Sequence, residues 1–233
     1  VYTIDSDPKL FSVEMLNSAK KGLRIASDNV PQGGYQSLPP MAVGGVGKAR
    51  RRRGMDVLTV QSGEPAGEVW FRLFPNAIYY GEGGMTVSDV TVDGVMVTPE
   101  LTLDDTALRV PLPATVAAGE TAQITMRFVA TVPADSSGSY GIFTHDTQAG
   151  LWVLADWHPL LAVREPDGVW ALPTVTSFGD PTYAPGASYD VTLTAPENLL
   201  LASSGMTVET VTINGQTTRR TIAGPARDFV MVA

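Results

Sequence analysis

The sequence predicts an all-β fold, a β-sandwich of saddle-like antiparallel sheets with one short N-terminal helix. Three observations lead there. Short runs of alternating apolar and polar residues recur from residue 57 onward, roughly every 8–12 residues, the spacing of sandwich strands. Between them stand turn pairs such as Asp93-Gly94 and Asn214-Gly215, which suit hairpins whose two central residues take positive φ. The chain has 233 residues and no cysteine. At that length, on the order of 70% of the unfolded surface can be buried, so a core needs no disulfide staples.

Residues 1–56 form the first of two segments. Val1–Asp5 reads as a strand. Asp7-Pro8 carries the signals of a helix N-cap and first-turn proline. Leu10, Val13, Leu16, Ala19 and Leu23 follow at spacings of three or four, which predicts a helix over 8–25. Residues 26–56 are rich in Gly, Pro and Arg and read as a loop. The run Arg50-Arg51-Arg52-Arg53 is read as a solvated stretch whose like charges repel. Deleting residues 48–53 is therefore expected to leave the fold intact.

Residues 57–233 form the sandwich. Val57–Val60, Glu68–Phe74, Met85–Val92, Val95–Val97, Thr106–Leu112 and Ala122–Val132 read as successive strands. Ile124, Met126, Phe128 and Ala130 share one face of the last. Tyr189–Thr194 alternates in the same way. Met206–Ile213 and Gln216–Ile222 form a hairpin, and Pro225–Val232 reads as the final strand.

The charge is uneven. Residues 1–60 carry a net +4 and the remainder −12, giving −8 for the chain. An acidic body disfavours nucleic acid as a partner, and no aromatic residue is interleaved with the arginines to stack on bases. No apolar run approaches the ~20 residues that span a bilayer. No leader is evident, and the sequence leaves cytoplasm and export equally open.

The most particular wording lies in residues 156–205. An aromatic–proline corner, Asp156-Trp157-His158-Pro159, is followed by a turn at Pro166-Asp167-Gly168 and a Gly-Asp-Pro kink at 179–181. Tyr189-Asp190-Val191-Thr192-Leu193-Thr194 and Ala202-Ser203-Ser204-Gly205 come next. This order resembles the N-terminal β-domain of the membrane alanyl aminopeptidase family of zinc metallopeptidases, the gluzincin aminopeptidases, in its bacterial branch. Val69-Trp70-Phe71-Arg72-Leu73-Phe74-Pro75-Asn76 and Arg227-Asp228-Phe229 resemble further segments of that branch. The resemblance covers residues 1–5 and 57–233.

The family's catalytic machinery is not in this sequence. Its zinc is held by His-Glu-x-x-His and a further Glu, whereas His145 and His158 have other neighbours. The resemblance therefore implies a non-catalytic domain whose partners are its own C-terminal catalytic domain, with zinc expected there, and the N-terminus of a peptide substrate. In the family, a Gln or Glu in the segment before the proline corner accepts the substrate's N-terminal ammonium. Here the candidates are Gln148 and Asp156, with Asp146 nearby; Gln148 reads otherwise as a polar loop tip. Zinc is the one cofactor implied, and no metal site is assigned within the chain.

A reading from another class is a free-standing β-sandwich module that binds carbohydrate or protein. An exposed row of Trp152, Trp157 and Trp170 would favour it, and packing of these rings in the core would not.

Overall fold

The computed structural model describes residues 12–16, 50–61, 63–134, 143–176 and 182–233. The expected strand at 1–5, the loop over 26–49 and the kink at 179–181 lie outside them. Among the described residues the elements are strands and two single-turn 3-10 helices, Phe74–Asn76 and Ile78–Tyr80, so the fold is all-β as the alternation implies.

The strands are β1 (Ser12–Leu16), β2 (Arg50–Gln61), β3 (Ala66–Arg72), β4 (Gly84–Val92), β5 (Val95–Met96), β6 (Glu100–Thr102), β7 (Ala107–Val116) and β8 (Thr121–Val132). They continue as β9 (Phe143–Asp146), β10 (Leu151–Leu154), β11 (Leu160–Leu161), β12 (Ala187–Pro196), β13 (Ala202–Ser203), β14 (Met206–Ile213), β15 (Gln216–Ala226) and β16 (Met231–Val232). The largest sheet has the order β14-β15-β12-β1-β2-β8-β4-β5. Two four-stranded sheets, β13-β16-β10-β9 and β11-β3-β7-β6, complete the architecture.

Alternation decides what each strand buries. Ala122, Ile124, Met126, Phe128, Ala130 and Val132 of β8 are buried, as are Tyr189, Val191, Leu193 and Ala195 of β12. Val69 and Phe71 of β3 join the same core from a smaller sheet, and Trp152 and Leu154 of β10 from the other. Side chains of this size contribute roughly 1.5–3 kcal/mol each when buried, so this shared core is what holds the three sheets together. The turns follow the residue types. Asp93 and Gly94 take φ of 49° and 81°, and Asn214 and Gly215 take 52° and 76°, the paired positive values of a tight hairpin turn.

Three expectations change. Residues 12–16, placed by periodicity in a helix over 8–25, form β1 instead; it pairs antiparallel with β12 and parallel with β2. Helix-like spacing is a weak signal when two open sheet edges flank a segment, because pairing there satisfies backbone groups on both sides. The rest of that span lies outside the described residues.

Arg50–Asp56, expected within a loop over 26–56, belong to β2, whose ladder with β8 starts at Arg50↔Val132 and runs to Gln61↔Thr121. Pairing with β8 gives the backbone groups of this run their hydrogen-bond partners, which a reading of its charges alone does not reveal. Deleting residues 48–53 thus removes ladder positions. The expected strand over 225–232 is broken as well. Pro225 and Ala226 end β15, and only Met231 and Val232 form β16. Of the residues between them, Phe229 is fully buried, whereas Arg227 is exposed.

Candidate functional site

The stretch that carries the most particular sequence wording folds into a hairpin followed by a corner. β9 and β10 pair antiparallel, with His145 opposite Trp152. Their rings stack with centroids 3.9 Å apart and an interplanar angle of 16°. At the tip, the Asp146 carboxylate accepts the N–H groups of Gln148 and Ala149, both at 2.9 Å. Gly150 takes φ 67° to close the turn. Short polar side chains such as Asp stabilise turns in this way, by binding the backbone two and three residues on. Gln148 is exposed at this tip. The ring stack thus lies in the hairpin and the Asp146 hydrogen bonds pin the turn at its tip.

The corner lies beyond the other end of β10. Asp156 adopts φ 53°, a left-handed conformation that Asp tolerates better than most residues. Its side chain is only 1% exposed, and the Thr182 hydroxyl lies 3.0 and 2.8 Å from its two oxygens. The Asp156 N–H donates to Asp228 Oδ2 at 2.9 Å, and the Phe229 N–H donates to Asp228 Oδ1 at 2.7 Å. His158 Nε2 lies 3.2 Å from the same Oδ1. Its Nδ1 faces the Pro159 carbonyl at 3.1 Å. Burial alone would raise the Asp228 carboxyl. The His158 hydrogen bond and charge, with the Asp156 and Phe229 amides, outweigh it and hold the group below the usual carboxylate range.

Aromatic packing fixes this arrangement. The Trp157 indole N–H donates to the Phe229 carbonyl at 2.6 Å. Trp157 packs on Phe128 and His158, and His158 on Tyr189, with centroid distances of 6.0, 5.1 and 5.9 Å. The corner therefore locks the chain at 155–159 to the chain at 227–229.

The two sequence-predicted site residues are thus placed differently. Gln148 is on the exposed tip, whereas the Asp156 carboxylate is engaged inside the fold. β10 separates them, and four residues of strand span roughly 13 Å. Among the described residues no three His, Asp or Glu side chains gather in a way that could hold a metal ion. Trp152 and Trp157 are 5% and 2% exposed, so they cannot form a sugar-binding row with Trp170, which itself packs against the core.

Two buried charges escape sequence reasoning: Asp228, just described, and Arg72 on β3. Asp228 acts on partners about 70 positions earlier, a relation that no local pattern carries. Arg72 sits in a strand where alternation alone would put it on the face opposite Phe71; nothing in the wording says that this face is covered as well.

No protein-family model matches the chain, and no curated protein does. Solved structures do match. The crystal structure of an M1 zinc metallopeptidase from Deinococcus radiodurans aligns at 17% identity and a TM-score of 0.52, covering 97% of this chain. A point mutant of the M1 zinc metallopeptidase from that organism aligns at 16% and 0.53. A two-domain M1 zinc metallopeptidase mutant bound to L-arginine aligns at 17% and 0.51. In each case the chain spans 42% of the longer protein. At such identities the likeness is one of fold: nearly the whole of this chain is built as a part of those larger metallopeptidases is built.

Proposed function

We propose that this chain is the non-catalytic N-terminal domain of a zinc aminopeptidase-type metallopeptidase, lying over the active-site cleft of a catalytic domain and helping to hold the peptide N-terminus. The observation that carries the reading is the fold likeness over 97% of the chain to M1 zinc metallopeptidases of which it spans 42%. The wording of residues 69–76 and 156–205, which resembles the same family, supports it. Zinc bound in the catalytic domain would activate water and polarise the scissile carbonyl. This chain's part is to bind and orient.

Within it, Gln148 is the residue we assign to the substrate's free amine. Its amide oxygen suits an ammonium, a charge-assisted hydrogen bond, and the pinned turn holds it at the hairpin tip. Asp156, bound to Thr182, shapes the corner that supports the hairpin.

In the protein carrying its catalytic domain, Gln148→Ala should raise KM for aminoacyl substrates about tenfold, the equivalent of about 1.4 kcal/mol, with kcat little changed. An unchanged KM removes Gln148 from the site. The wider reading is tested by the coding sequence beyond Ala233. Continuation into His-Glu-x-x-His and a later Glu upholds it, and a stop codon there overturns it.

A further inference from the structure

Arg72 closes β3 with its side chain 1% exposed. Its neighbours across the strands are Ala107 and Leu160, both buried and apolar. The guanidinium carbon lies 5.0 Å from the centre of the Phe74 ring. Nη1 donates to the Pro173 carbonyl at 2.8 Å. Among the described residues, Nε and Nη2 meet no hydrogen-bond acceptor. Burial pulls the guanidinium pKa below its ordinary value. The next strand offers a contrast: Arg109 on β7 has two carboxylates, Glu68 at 2.6 Å and Glu100 at 3.1 Å.

Nε and Nη2 are not an arbitrary pair of atoms. Their N–H bonds run parallel along one edge of the guanidinium plane and form the fork that takes a carboxylate through two hydrogen bonds. Proteins rarely bury a charge without a partner, because desolvation is then uncompensated. Residues 172–176, which carry the Pro173 carbonyl, have no regular secondary structure, so on this side the guanidinium meets a loop and not a strand ladder.

We propose that the Nε–Nη2 edge of Arg72 is a binding site for a carboxylate. The ligand is either a small free carboxylate or one carried on a larger molecule; both would present the same two oxygens to the fork. Binding adds the missing counter-charge between Ala107, Leu160 and Phe74, and fixes residues 172–176 against β3.

The test follows the melting temperature as chloride is replaced by formate at constant ionic strength. The wild-type protein should gain several degrees in a saturable way, and Arg72→Met should show no formate-dependent gain. Equal responses in the two proteins, or none in the wild type, would overturn the proposal. If Arg72→Met fails to fold, the wild type still decides: the Arg72 Nε–H proton resonance should move downfield and saturate with formate. A resonance that stays in place overturns the site. Propionate and benzoate then separate the sources. Responses like that to formate indicate a carboxylate borne on a larger molecule, and a response to formate alone indicates a small free ion.

Discussion

Asp228 and Arg72 are both charged side chains taken largely out of water, and the fold treats them in opposite ways. Asp228 receives two backbone N–H groups and faces the His158 ring. Among the described residues, Arg72 has one carbonyl, that of Pro173, for its five N–H bonds. Burial works against both charges, but only Asp228 has partners strong enough to reverse its effect. A buried charge with its partners supplied by the fold ties distant parts of the chain together. One whose donor edge is unmet contributes little to the fold, and its value lies in what it can receive.

The largest effect expected of this contrast is at Asp228. Asp228→Ala leaves two amides and His158 facing an empty position, and should cost about 3–5 kcal/mol in urea unfolding, the usual result of removing one partner of a buried pair. A loss under 1 kcal/mol would mean that the corner is held by its aromatic rings alone. Trp157→Phe separates those contributions. It keeps an aromatic ring but removes the indole donor from the Phe229 carbonyl, so a loss of about 1–3 kcal/mol is expected from the unmet buried acceptor.

Acid should weaken the same corner with a defined sign. The folded Asp228 pKa lies below its ordinary value of 3.8. Its contribution is therefore fully present above that value and is lost as pH falls through the lower folded pKa. Unfolding free energies of wild type and Asp228→Asn should differ near neutrality and converge in strong acid. Parallel curves down to pH 2 would show that the carboxylate charge is not what matters.

The smallest effect is expected at Arg72. In buffer without carboxylates, Arg72→Met should leave stability unchanged or raise it slightly, since an apolar residue of similar length removes an uncompensated buried charge. A loss comparable to that of Asp228→Ala would collapse the distinction between the two sites.

Legibility in the sequence followed the range of the interactions. β8 and β12 could be read because period-two alternation is written into consecutive residues, and the Asp93-Gly94 and Asn214-Gly215 turns because their backbone demands particular residue types. The exposed place of Gln148 follows from a local feature too, the Asp146 turn. β1 could not be read as a strand, since its reason for being one is the pair of edges offered by β12 and β2. Arg50–Arg53 misled for the same reason: their charge is local, but their β8 partner lies about 80 residues away. The wording of the corner and of Arg227-Asp228-Phe229 stood out, yet nothing in either stretch says that Asp228 and Thr182 are the side chains that hold the corner.

β1 has a further consequence for how the molecule assembles. The largest sheet consists of two groups, β14-β15-β12 on one side and β2-β8-β4-β5 on the other, and among the described residues the five of β1 join them within the ladder. The first group draws on residues 187–226 and the second on residues 50–132; β1 lies about 40 positions before its partners in β2 but about 180 before those in β12, so the β1–β12 seam is the most distant pairing described in this sheet. Non-local pairings bear the larger loop-closure cost and tend to form later. The sheet is thus expected to fold as two separate ribbons that are stitched together last, and to part first along the same seam.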